Sequence, residues 1–390
     1  MPPHKNIRLL TLFNFFTDFR LYAPVAIIYF SEVTGSYMLG MSIFSIIMVS
    51  SALFEVPTGI FSDRIGRKKT VIFGSIAAVL FSIFYAIGQS FWILAIGGLF
   101  EGLSRSFYSG NNDALLHGSL AETKNEHQYD EFLGRVSSMF QAALAVSAIM
   151  GSFLAQWSFS LIMWISVVPQ IICLFIAFQI IEPKVITNES GNIFQHFKKA
   201  YLNFKRNKKL RLLSASSILG YGFGEAGFQF QSAFYNTVWP LWAIGVVRAF
   251  SNLIAAISFR FSGRLIRKFG GINILIASSI YARVSNIVAA LFPTIVSPVL
   301  IASTSLFYGA KSVSENSLLH KEFSNEQRAT MGSLNSFGGS IFFGLISIIL
   351  GFTADTLSPA IAFVVLQLFQ LSNLWIYQKL IKHNKNNREH

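Results

Sequence analysis

One cysteine, Cys173, lies inside an apolar run, so no intramolecular disulfide and no thiolate set for a metal or cluster can form. Charge is nearly as scarce. Only 13% of the 390 residues are Asp, Glu, Lys or Arg, against 53% hydrophobic, and the mean hydropathy of +0.52 lies far above that of a soluble domain. The sequence lacks a Gly-x-x-x-x-Gly-Lys-Ser/Thr phosphate loop and any metal-ligand or nucleophile constellation, so it has no ATP drive of its own and an enzyme is not expected. No cofactor is implied. Acids are the rarer sign, 18 against 31 Lys and Arg, yet the cations sit in short blocks between apolar stretches without interleaved aromatics. That pattern excludes nucleic acid as a partner.

What the chain does have is apolar runs near the roughly 20 residues that cross a bilayer. Twelve windows qualify: 7–30, 38–61, 70–89, 91–114, 133–156 and 160–181, then 211–235, 239–262, 271–292, 297–317, 331–353 and 358–380. Helices are expected, because lipid cannot satisfy free backbone groups. The first window is too long for a signal-peptide core and ends without a small-residue cleavage site, so it is expected to remain as a span. Lys and Arg crowd one set of loops, around 5–8, 64–69, 124–135, 184–211, 264–268, 321–328 and 379–388, while the alternate loops hold none. The positive-inside rule then puts both ends on the cytoplasmic side of a cytoplasmic membrane.

The longest polar stretch divides the spans six and six: residues 1–181 a six-helix bundle, 182–210 a cytoplasmic linker, and 211–390 a second six-helix bundle with a short basic tail. Within the linker, 193–204 carries apolar residues at helical spacing among lysines, which suits either an anionic leaflet or a solvated topology signal. The halves resemble each other. Phe61 to Lys68 lines up with Phe261 to Lys268, 200 residues on, and Leu115-Leu116-His117 with Leu318-Leu319-His320. Paired halves are how many secondary transporters are built.

Gly59 to Lys69, read as Gly-x-x-x-Asp-Arg-x-Gly-Arg-basic-basic, resembles at every specified position the loop between spans two and three of the major facilitator superfamily. The resemblance implies an all-α membrane protein, twelve transmembrane helices in two pseudo-symmetric six-helix bundles that rock about a central cavity. Read from the residues alone, Gly59 and Gly66 permit close approach and a tight turn, Asp63 can accept backbone N–H groups, and Arg67 offers a forked donor. The resemblance further implies that Asp63 caps the start of span eleven when the cytoplasmic side is closed and that Arg67 pairs with an acid ending span four, for which Asp113 is the candidate. Glu55 most simply belongs to the same latch.

Charges deep in a span cost about 2.5–3.5 kcal/mol each on insertion scales, so each asks for a partner or a task. Asp18, midway along span one, is a candidate for proton coupling or for a fixed pair with an arginine of another helix. Arg20, two residues on, points about 200° away and does not suit it. Glu225, in the repeat-equivalent span seven among glycines that let a helix bend or unwind, is the second candidate, with Arg248 and Arg283 as possible counter-ions. Glu101 with Arg105, and Lys311 with Glu315, are spaced i, i+4 and are expected to neutralise each other. His117 and His320 read as solvated helix ends, and Trp239 and Trp242 as interface anchors. These features lead to a monomeric secondary transporter of a small molecule, coupled to protons and leaning to multidrug-type efflux of lipophilic or cationic compounds, because Asp18 and Glu225 occupy equivalent helices. Uptake of a nutrient or metabolite is the alternative, and a non-transporting membrane sensor the reading from another class.

Overall fold

A computed structural model describes residues 4–122, 125–183, 204, 205, 207–320, 322 and 328–386. Among them every regular element is helical. The first half holds α1 (His4–Asp18), α2 (Ala26–Thr34), α3 (Tyr37–Ile65), α4 (Arg67–Ile87), α5 (Phe91–Tyr108), α6 (Asn111–Ala121), α7 (Tyr129–Ala155) and α8 (Phe159–Gln179). The second holds α9 (Lys208–Tyr235), α10 (Leu241–Phe269), α11 (Gly271–Leu291), α12 (Ser297–Ser303), α13 (Tyr308–His320), α14 (Arg328–Thr356), α15 (Pro359–Phe369) and α16 (Leu371–Asn386). Taking α1 with α2, α5 with α6, α12 with α13 and α15 with α16, these make the twelve passages expected.

The helix starts are written locally. Ser36, Ser90, Ser158 and Ser358 each accept the N–H three residues on, capping α3, α5, α8 and α15 in or beside the cation-free loops. Gly66 (φ 97°) turns the chain between α3 and α4, and Gly270 (φ 81°) does the same between α10 and α11. The gapless repeat pairing sets Ile266 opposite Gly66. Instead α10 continues one helical turn further, and Gly270 supplies the positive φ there.

Among the described residues eight helices are long and apolar enough to cross a bilayer: α3, α4, α7, α8, α10, α11, α14 and the α15–α16 stretch. The four passages outside that set are α1–α2, α5–α6, α9 and α12–α13, and they carry Asp18, Arg20, Glu101, Arg105, Glu225, Lys311 and Glu315. A helix bearing such charge is excluded from lipid contact along that face, and α10 and α11 add Arg248 and Arg283 to these charges. Three of the four are interrupted. Residues 19–22 unwind before a 3-10 turn at Ala23–Val25, Gly110 (φ 67°) separates α5 from α6 so that the expected 91–114 span ends at Tyr108, and a 3-10 turn at Thr304–Phe307 separates α12 from α13.

The chain groups into two compact units, residues 1–189 with Pro240–Ala249, and residues 190–239 with Phe250–His390. Each has its own apolar cluster. In the first, Ile7, Leu10 and Phe13 of α1 pack with Val71 of α4, Leu115 and Leu116 of α6, Val136 of α7 and Ile176 of α8. In the second, Leu210 and Leu213 of α9 pack with Leu275 of α11, Leu319 of α13, Met331 of α14 and Ile376 of α16. The repeated Leu-Leu pair therefore fills the same place in both units. The segment 193–203, read as amphipathic, lies outside the described residues.

Candidate functional site

Span one breaks where Pro24 requires it. A proline ring clashes with the carbonyl four residues back, here Arg20, so α1 cannot run on through that position. The freed carbonyls are re-satisfied, as burial demands. Thr17 O accepts from Arg20 Nε (3.1 Å), while Gln170 Nε2, reaching from α8, donates to Phe16 O and Thr17 O (3.4 Å each). Opposite the break stands Gly151 of α7, where a Cβ would overlap the Leu21 carbonyl oxygen. Only glycine lets α7 lie this close to the unwound segment.

The unwound segment turns Arg20 onto Glu101. Arg20 Nη1 lies 2.5 Å from Glu101 Oε1, and Arg105, one turn along α5, adds Nη2 at 2.8 Å and Nε at 3.1 Å. Tyr85 of α4 donates to the other oxygen, Oε2, at 2.9 Å, and the Arg20 guanidinium sits 5.1 Å from the centre of the Phe81 ring. Glu101 is 3% exposed and Arg20 9%. The Glu101–Arg105 pair is thus part of a larger cluster, with Arg20 and Tyr85 as its other members. Asp18 stays outside it. Partly exposed at the end of α1, it makes no ion pair within 4 Å among the described residues, although it lies in the field of Arg20, Arg105 and Glu101. Arg20, Arg105 and Glu101 sum to one positive charge, which an ionised Asp18 cancels.

At the other end of these helices the signature loop is held differently from the expectation. Arg67 does not reach Asp113: its Nη1 donates to the Ala114 carbonyl, and Asp113 is exposed on the first turn of α6. Neither Asp63 nor Asp113 makes an ion pair among the described residues, and Asp63 is exposed. A Cβ at Gly59, inside α3, would meet nothing within 4 Å, so close packing does not explain that glycine. Gly66 is the turn. Beside it Glu182, just past α8, accepts the Arg67 N–H at 2.8 Å and the Lys68 N–H at 2.7 Å, a carboxylate placed on the free donors of α4. Asn111 ties the loop further, donating to Arg67 O (3.1 Å) and accepting from Ser62 Oγ (2.7 Å).

In the second unit α9 is unbroken, so its glycines do not unwind it. They pack: a Cβ at Gly222 would strike Phe342 and the backbone of Phe343 on α14, and one at Gly227 would press on Leu366 of α15. Glu225 accepts from Gln229 Nε2 at 2.7 Å, and Arg283 forms no ion pair with it; Arg248 is buried on α10. Lys311 and Glu315 also fail to pair within 4 Å, although they are four apart on α13. Glu followed by a cation at i+4, as in Glu101–Arg105, is the stronger order, and Lys311 before Glu315 is the weaker one. The helix break above α13 leaves orphan donors that Ser258 of α10 meets, accepting from Gly309 N (3.1 Å) and Ala310 N (3.3 Å).

The fold and its charge-bearing, interrupted passages define a multi-pass membrane transporter. The family model of the Major Facilitator Superfamily matches residues 9–347, and the chain belongs to that family. YxaM of Bacillus subtilis (strain 168), named as an uncharacterized MFS-type transporter, is 21% identical over 380 residues, covering 92% of this chain and 91% of YxaM. BU466 of Buchnera aphidicola subsp. Acyrthosiphon pisum (strain APS), named as an uncharacterized transporter, is 27% identical over 177 residues, 45% of this chain and 43% of BU466. That match spans less than half of the relative's length. The crystal structure of the nucleoside transporter NupG superposes with a TM-score of 0.83 at 11% identity, covering 98% of this chain and 100% of NupG. At that identity the likeness speaks for the fold alone.

Proposed function

We propose that the protein is a proton-coupled secondary carrier of the cytoplasmic membrane, working by alternating access with both ends in the cytoplasm, and that it exports lipophilic or cationic small molecules. One observation carries the reading. Asp18 stands in the field of an ion-paired cluster that leaves one positive charge over, yet forms no ion pair itself among the described residues, so its carboxyl is left available to take up and release a proton. The site is neutral with Asp18 ionised and carries one positive charge with Asp18 protonated, which gives the two states different affinity for a cation. In the other half Glu225, held only by Gln229, is the carboxylate that would meet a cationic substrate. Asp63 and Arg67 would act as a latch on one conformational state. A second reading, uptake of an anionic metabolite, draws on Arg283 and Lys311, two spanning cations without an ion pair. Purified protein in proteoliposomes with an imposed pH gradient tests the proposal. Proton-driven movement of tetraphenylphosphonium supports cation exchange, gradient-driven uptake of organic anions with none of the cation supports the second reading, and no proton-coupled flux of either class contradicts both.

A further inference from the structure

The two units treat the same i, i+4 charge spacing in opposite ways. In the first, Glu101 is closed onto Arg105 and Arg20 and both its oxygens are bonded. In the second, Glu315 Oε1 is sealed from solvent with no hydrogen-bond partner, and Lys311, one turn away, does not touch it. The surroundings supply no substitute. On α9 the facing residue is Gly220, where a Cβ would lie 3.5 Å from Glu315 Oε1 and 3.5 Å from Asn373 Nδ2. Asn373 of α16, 5% exposed, has an Oδ1 without a partner, and Arg283 of α11 has an Nε without one. Unmet polar atoms inside a spanning bundle are costly, and here the Glu315 carboxyl and the Asn373 side chain, each with an unmet oxygen, meet at Gly220.

We propose that Glu315 is a proton-binding site of the second unit and that Lys311 is its partner in the deprotonated state. Resting on the proton-coupled reading above, the inference adds a titrating carboxyl to the one assigned at Asp18. The step is a simple exchange. The Glu315 O–H bond breaks, the proton passes to water, and the carboxylate accepts a hydrogen bond from the Lys311 ammonium; reprotonation from water frees Lys311 again. The separated arrangement corresponds to the protonated state, since an ionised carboxylate within reach of a flexible lysine would close onto it as Glu101 does onto Arg105. Of the other charged and titratable groups, Tyr377 of α16 and Tyr308 of α13 lie in the field of Glu315, Arg283 of α11 acts on Lys311 and Tyr377, Glu225 of α9 acts on Tyr308, and α10 offers the Ser258 hydroxyl while its Arg260 is exposed. The interruption at Thr304–Phe307 gives α13 a place to flex as the pair opens and closes.

Infrared difference spectra between acid and alkaline pH, taken on protein in liposomes, read the site without a substrate. A protonated-carboxyl C=O band that vanishes on alkalinisation is expected in the wild type. One component should be missing in Glu315→Gln and retained in Asp18→Asn, and Lys311→Met should displace its midpoint by about one pH unit or more. Dicyclohexylcarbodiimide, which reacts with protonated carboxyls in apolar surroundings, provides the measurement on the unaltered chain: label should appear at Glu315 and fall as pH rises. A Glu315→Gln spectrum identical to wild type, or no label on Glu315 at any pH, overturns the proton site, and an unmoved midpoint in Lys311→Met overturns the partner. If the wild type moves no ion under a pH gradient, the transport reading falls while band and label still judge Glu315. Where the wild type transports and Glu315→Gln keeps full uphill accumulation, Glu315 is excluded from coupling and the transport reading stands.

Discussion

Replacing Glu101 by glutamine separates the architecture of the first unit from its chemistry. The amide keeps the shape, but its single oxygen can replace either Oε1, which takes the arginines, or Oε2, which takes Tyr85, and the charge that balances Arg20 is gone. Arg20 is 9% exposed and cannot withdraw to water, because its backbone sits in the segment packed against Gly151. Breaking one member of such a buried pair costs roughly 3–5 kcal/mol. Arg105 contributes little to that figure, since its side chain is 44% exposed and water screens it. Removing Arg105 as Arg105→Ala should therefore cost about 1 kcal/mol or less, and Asp18→Asn, which breaks no ion pair, should fall within about 0.5 kcal/mol of wild type. Unfolding in mixed micelles titrated with sodium dodecyl sulfate gives the three values side by side. Equal stability of Glu101→Gln and wild type, or a larger loss in Arg105→Ala than in Glu101→Gln, would refute the assignment of Arg20 and Glu101 as the structural pair.

Asp63→Asn and Arg67→Ala should each reduce transport while leaving membrane insertion intact, with lower accessibility of engineered outer-facing cysteines; unchanged flux and accessibility in both removes the latch. Gly151→Ala should destabilise the first unit by about 1–3 kcal/mol through overlap with the Leu21 carbonyl, measured by the same detergent titration, and a neutral outcome would mean α7 is not held against the break. Glu225→Gln should weaken binding of tetraphenylphosphonium about tenfold, roughly 1.4 kcal/mol, through loss of the Coulombic attraction between carboxylate and cation, with little effect on melting because no arginine is paired to it; unchanged affinity excludes Glu225 from the cation site.

The passages were legible because an apolar run of bilayer length leaves the backbone few alternatives. The weaker, reverse order of Lys311 and Glu315 was also written in the sequence, but that the two side chains stand apart was not. Gly270 was hidden by pairing the repeats without a gap, since a turn one helical turn later looks like an ordinary loop glycine. Tyr85 and Gln170 carry no charge and sit in strongly apolar helices, so nothing local marks them. Their roles exist only once α4 and α8 bring them to Glu101 and to the end of α1. Glu182 escaped for a similar reason: its carboxylate serves a helix more than a hundred residues away, reached only after α8 folds back. Arg67 was misassigned because a forked donor suits a carbonyl as well as a carboxylate, and the chain places Ala114 O nearer than Asp113.

The central claim is that a proton taken up at Asp18 drives the carrier. In proteoliposomes loaded with tetraphenylphosphonium, the measurement is net accumulation against its gradient under an imposed pH difference, compared with exchange of labelled for unlabelled cation without one. Asp18→Asn should lose uphill accumulation and retain most of the exchange, because exchange does not require release of the proton at every turnover. Uphill accumulation by Asp18→Asn equal to that of the wild type would contradict the account.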